Sequence, residues 1–157
     1  MKKINILDIS SYMICPPISG GALRILAPFA KMSADCGLEV DMLFSSHAED
    51  HIEQCKTYLE KIPVINDAVG VISAKHNTLT EGMPENVSPD VYITISEELK
   101  LKAVEMVSQK KYDIIQIEHS QLSWIVPFLR LASPASKIVL DLHNAEHRIF
   151  ETWLPHA

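Results

Sequence analysis

Short apolar runs alternate with helix-like segments along the whole chain, and this alternation limits the fold more than any other feature. The first run, Lys3-Ile4-Asn5-Ile6-Leu7-Asp8-Ile9, gives way to a loop containing Pro16-Pro17-Ile18-Ser19-Gly20-Gly21, followed at once by Ala22-Leu23-Arg24-Ile25-Leu26. Further strand-like runs occupy Leu38 to Phe44, Asp113 to Ile117 and Lys137 to Leu142, with shorter candidates at Ile62 to Ile65 and Val69 to Ile72. Helical patterns separate them. Strand and helix in strict alternation predict an α/β fold, a doubly wound parallel sheet with right-handed crossovers and flanking helices. At 157 residues the chain fits one such domain, residues 1–157, on the usual range of about 100–200 residues.

Local signals place the element ends. Pro28 falls inside the first helical pattern and predicts a kink or a late start there. Gly37 is expected as that helix's C-terminal cap, and Ser46-x-x-Glu49 as a capping box opening a helix with Ile52, Cys55 and Leu59 on one face. The polar stretch from Ala74 to Asp90, with Gly82, Pro84 and Pro89, predicts a loop. Ser96 followed by Glu97 and Glu98 predicts a helix start, with Leu99, Ala103, Met106 and Val107 facing inward. Two units follow, a helix from Leu122 to Leu131 and another from about Asn144.

Composition excludes several classes. With 47% hydrophobic and 22% charged residues the chain is globular in type, and a net charge of −6 argues against nucleic-acid partners, which call for a clustered basic face. No apolar stretch reaches the ~20 residues of a membrane span, and Asn5 and Asp8 break the only run that a signal peptide could use. Cys15, Cys36 and Cys55 are odd in number, widely spaced and without a C-x-x-C pair, so reduced cysteines and a cytoplasmic location are expected. The Lys110-Lys111 pair is read as compensation of a helix dipole.

In an open parallel sheet the ligand crevice lies at the carboxyl ends of the strands. The residues found there are the Gly20-Gly21 turn with Arg24 one helical turn on, then Glu118-His119-Ser120, then Asp141-Leu142-His143-Asn144-Ala145-Glu146-His147. A glycine turn at a helix N-terminus suits an anionic ligand, because backbone N–H groups point outward and no side chain blocks approach.

In these three segments the chain resembles the amino-terminal domain of GT-B glycosyltransferases of the family-four type, over nearly its whole length. The resemblance rests on Pro16 to Arg24 after the first strand, on Tyr112-Asp113-Ile114-Ile115-Gln116-Ile117-Glu118-His119, and on Val139 to Glu146. It implies a Rossmann-like domain that faces a second one, absent from this chain, which holds most of the nucleotide-diphosphate sugar donor. It further implies a retaining transfer to a glycan or glycolipid acceptor, no metal, and no cofactor beyond the donor substrate itself. Partners would be the donor, the acceptor and the protein's own C-terminal domain, with peripheral contact at the inner face of a membrane.

Carried onto this sequence, the resemblance puts His119 beside the reacting sugar as the catalytic residue. Gly20, Gly21 and Arg24 would approach the donor diphosphate, and Glu118, Asp141, His143 and Glu146 would shape the acceptor side. The family also carries an E-x7-E pair in its second domain; Glu97 and Glu105 share that spacing but sit in a charged helix of this first domain, and the match is read as coincidence.

Two other readings compete. A stand-alone Rossmann-like module could bind a small anion or a protein partner without catalysis. His143-Asn144-Ala145-Glu146-His147 also matches H-x-x-E-H, a zinc-hydrolase pattern, but only ten residues follow His147 to supply a third ligand. The closing Trp153-Leu154-Pro155-His156-Ala157 reads as an exposed end, with Phe150 and Trp153 packing on the sheet or facing the second domain.

Overall fold

In a computed structural model, residues 3–73, 87 and 89–142 are described. Five strands, β1 (Ile4–Ser10), β2 (Leu38–Ser46), β3 (Ile65–Ile72), β4 (Ile114–Glu118) and β5 (Lys137–Asp141), form one all-parallel sheet in the order β3-β2-β1-β4-β5. The helices between them are α1 (Gly20–Ala30), α2 (Glu49–Leu59), the short α3 (Pro89–Tyr92), α4 (Glu97–Gln109) and α5 (Val126–Ala132), with a 3₁₀ turn at Ser120–Ile125. The strand order reverses direction between β1 and β4. This is the expected Rossmann-like α/β architecture, and the reversal places the crevice beyond Ser10 and Glu118.

Two apolar layers hold the sheet. On one face Ile6, Val40, Met42 and Phe44 pack with Ile25, Leu26 and Phe29 of α1 and Ile52, Cys55 and Leu59 of α2. On the other, Leu7, Ile9, Leu43, Ile115 and Ile117 meet Leu99, Ala103, Met106 and Val107 of α4 and Leu122, Ile125 and Leu129. Central strands buried on both sides need apolar residues at successive positions, which is why β1 reads as a run rather than an alternation.

Several helix ends depart from expectation. α1 starts at Gly20, capped by Ser19, whose Oγ accepts the Ala22 N–H at 3.1 Å; the helix has no late start, and Pro28 lies in its last turn. Gly37 (φ 81°) is not the helix cap, which is Lys31, but lies in the turn into β2, where its carbonyl accepts the Ile4 N–H. The capping box does not form either. Ser46 is still part of β2, its Oγ engages the backbone of Ala48, and α2 begins without a side-chain cap. Instead of two short strands after α2 there is one, Ile65–Ile72. The Ser96 cap is as expected, accepting the Leu99 N–H at 3.2 Å. Glu97 and Glu105 make ion pairs with Lys100 and Lys102 one turn away on the same helix. The expected helix near Asn144 and the chain end lie outside the described residues, as does most of the 74–90 loop.

Gly70 on β3 shows what sets the packing distance of α2. A Cβ at Gly70 would lie 2.8 Å from Ile52 Cγ1 and closer still to Ile52 Cγ2. Gly70→Ala is therefore expected to destabilise the protein by about 1–3 kcal/mol through overpacking. In an Ile52→Ala background, which removes both of those atoms, most of that cost should vanish; urea unfolding of the four variants measures it, and additive effects would refute the contact.

Candidate functional site

The site forms where β1 and β4 end side by side. Beyond Ser10 the chain turns through Ser11 and Tyr12, and beyond Glu118 through His119 into the 3₁₀ turn. Tyr12 Oη and His119 Nε2 lie 2.9 Å apart in a hydrogen bond, with the two ring centres at 5.4 Å. Gly21 at the start of α1 closes the group. A Cβ there would fall 2.7 Å from Tyr12 Oη and 3.8 Å from His119 Nε2, so the absence of a side chain is what lets α1 approach the pair.

His119 has φ 75° and ψ 144°, a backbone conformation that side chains other than glycine avoid at a cost of about 1–3 kcal/mol. Two hydrogen bonds hold it there: its N–H donates to the Asp141 carbonyl at 3.0 Å, and its carbonyl accepts the Leu122 N–H at 3.2 Å. Such strain persists only where the surroundings enforce it, and it concentrates at working sites. The ring lines an open depression of about 200 Å³ with Ser11, Tyr12, Ile93, Thr94 and Gln121. Thr94 fixes the opposite wall, since its Oγ1 accepts from Trp124 Nε1 at 3.1 Å and reaches the carbonyls of Val91 and Gln121.

Beneath the pair lies negative charge. On one face of the sheet the register aligns Ile6 with Ile114, then Asp8 with Gln116, and Glu118 with Asp141, so an apolar stripe becomes acidic toward the crevice. Asp8 and Glu118 are 0% exposed. Burial, then the charges of Glu118 and Asp8, push the Tyr12 phenol up to about 12, so it stays protonated and can serve His119 as a neutral hydrogen-bonding partner.

The residues singled out from the sequence separate accordingly. His119 and Gly21 come together. Gly20 does not join them, for nothing lies within 4 Å of its Cβ position. Arg24 is exposed on α1, and Asp141 is half-buried at the end of β5. Glu118 is sealed from solvent, accepting Gln116 Nε2 at 2.6 Å, so in this conformation it does not reach a ligand. His143 and Glu146, and with them the H-x-x-E-H match, lie outside the described residues.

Tyr12, Thr94 and Asp8 were missed. Tyr12 and Thr94 carry no motif, but Asp8 had a signal: it shares with Ile4 and Ile6 a strand face otherwise apolar, where a charge is out of place. Among the described residues no group of three or more His, Cys, Asp or Glu side chains is arranged to hold a metal ion, and no helix is long and apolar enough to cross a membrane. No protein-family model matches the chain, and no curated protein sequence matches it significantly.

Proposed function

We propose that this chain is the acceptor-side, amino-terminal domain of a GT-B-type glycosyltransferase that moves a sugar from a nucleotide-diphosphate donor to a glycan or glycolipid, with retention. The observation that carries the reading is the meeting of Gly21, Tyr12 and His119 at the point where the strand order reverses. A glycine-lined approach beside a strained histidine suits a sugar brought close to backbone and imidazole together.

Two further features support it. The depression of about 200 Å³ is open and smaller than the roughly 300–1,000 Å³ of complete ligand pockets, as expected of one wall of a cleft. Carboxylates behind the ring put negative charge where a glycosyl transition state develops positive charge. His119 would hydrogen-bond a sugar hydroxyl or stabilise that charge, and the α1 N-terminus, whose Gly20 and Gly21 N–H groups the Ser19 cap leaves aside, would face the diphosphate. The protein would then work in the cytoplasm, against the inner face of a membrane when the acceptor is lipid-linked.

Turnover of nucleotide-diphosphate sugars by the full-length protein tests the reading. Transfer above background is expected, and His119→Ala should lower kcat/KM by about 10²-fold, the scale of one lost charge-stabilising or acid–base group. His119→Gly should be equally inactive yet more stable than His119→Ala by about 1 kcal/mol, because glycine adopts the same φ without strain. Full-length protein that binds a small anion but turns over no nucleotide sugar would favour the non-catalytic module.

A further inference from the structure

Among the described residues neither carboxylate oxygen of Asp8 finds a hydrogen-bond donor, although the side chain is completely buried. What it faces is the Glu118 carboxyl, within hydrogen-bonding reach on the neighbouring strand. Two ionised carboxylates can only accept, so a buried pair in contact is stable when one of them keeps a proton and donates it to the other. Among the described residues no other donor reaches Asp8. On its β2 side the register partner is Met42, on its β4 side Gln116, whose amide is already given to Glu118. Among the described residues the titratable groups around it are Glu118 of β4, Asp141 of β5, the Tyr12 phenol and, on the residue after Glu118, His119.

We propose that Asp8 keeps a proton at neutral pH and donates it to Glu118, and that this buried hydrogen bond is the positioning element that holds the His119 turn. Glu118 immediately precedes the strained residue. Its side chain is gripped by Asp8 and by Gln116, while the next N–H is tied to Asp141, so the peptide leading into φ 75° is clamped from three strands' worth of contacts. Loss of the Asp8 proton turns one of those grips into repulsion between buried like charges, and the turn loses the constraint that keeps it strained. Burial, the Glu118 charge and hydrogen bond, and the Asp141 charge all raise the Asp8 carboxyl above its ordinary range.

Carbon-13 NMR of the chain labelled at Asp carboxyls and His rings tests this without sugar nucleotide or acceptor, so the outcome is independent of the transferase reading. In wild type the Asp8 carboxyl should titrate well above the ordinary value of about 4, and the His119 ring signals should show an inflection at that same pH. Asp8→Asn, whose amide N–H can replace the donor, should abolish the inflection that follows Asp8, leaving in the His119 signals only what the imidazole's own protonation produces. Asp8 titrating in the ordinary range would overturn the shared proton. His119 signals indifferent to Asp8's titration, or that same inflection surviving in Asp8→Asn, would overturn the positioning role. The wild-type titration decides the first point even if no variant folds.

Discussion

Gly21→Ala is expected to weaken ligand recognition by about 10²-fold while leaving the fold intact. The added Cβ would stand 2.7 Å from Tyr12 Oη, inside van der Waals contact, and the phenol is the end of a movable side chain. It will therefore swing away instead of forcing the backbone apart, and the 2.9 Å bond to His119 Nε2 will break. Displacement of a site group by about 1 Å can cost 10²-fold, and a loss of that order in kcat/KM or affinity is expected. Stability should change by less than about 1 kcal/mol, since alanine is the better helix former in the first turn of α1 and offsets part of the displacement. Tyr12→Phe supplies the control. Without Oη the nearest phenol-ring atom, Cζ, is 3.7 Å from the new Cβ, an ordinary contact, so adding Gly21→Ala to Tyr12→Phe should cost little more. Full activity in Gly21→Ala would mean that the Tyr12–His119 pair has no part in recognition.

The architecture was readable because it follows from periodicity. β1, β2, β4 and β5 are apolar runs separated by amphipathic helices, and for β1, β2 and β4, inside the sheet, burial on both faces demands that pattern. Element ends were less readable because two signals competed for the same residues. Ser46 could cap α2 or extend β2, and the six-residue β2–β3 register from Asp41 to Ser46 kept it in the strand. Gly37 could end a helix, but α1 ends at Lys31 without a positive φ, and it is the turn just before Leu38 that uses the glycine.

At the site, His119 and Gly21 were found by their place after a strand. Tyr12 and Thr94 were not, because their roles come from contacts across 107 and 30 residues respectively, to His119 and Trp124. Asp8 was noticed only as an interruption of an apolar run. Its meaning depends on Glu118 lying on the next strand, and strand order is not written in local sequence.

Asp41→Asn is expected to cost about 3 kcal/mol near neutral pH, and much less in acid. Asp41 is 3% exposed on β2 and accepts three donors: Tyr112 Oη at 2.6 Å, Lys110 Nζ at 2.8 Å and Asn66 Nδ2 at 2.8 Å. Burial opposes its ionisation, but those donors and the Lys110 charge outweigh the burial and hold its carboxyl below the ordinary range. An asparagine offers one oxygen where the carboxylate offered two, so at least one donor meets an N–H, and Tyr112, itself 2% exposed, cannot turn to water instead. Because the folded carboxyl titrates lower than the unfolded one, its stabilisation is complete above about pH 4 and is lost as pH falls through the folded value. Urea unfolding of wild type and variant at about pH 7 and about pH 3 should show the difference shrinking in acid. A difference that stays constant would mean that shape, not charge, holds the cluster. Asp8 runs the other way: its carboxyl is raised, so wild-type stability falls as pH climbs from about 4 toward the folded value, and Asp8→Asn should gain on wild type over that range. The two aspartates differ only in what surrounds them. Asp41 is met by donors at one position in the sheet and Asp8 by acceptors at another, so opposite pH slopes from the two Asn variants would trace the polarity of each environment directly.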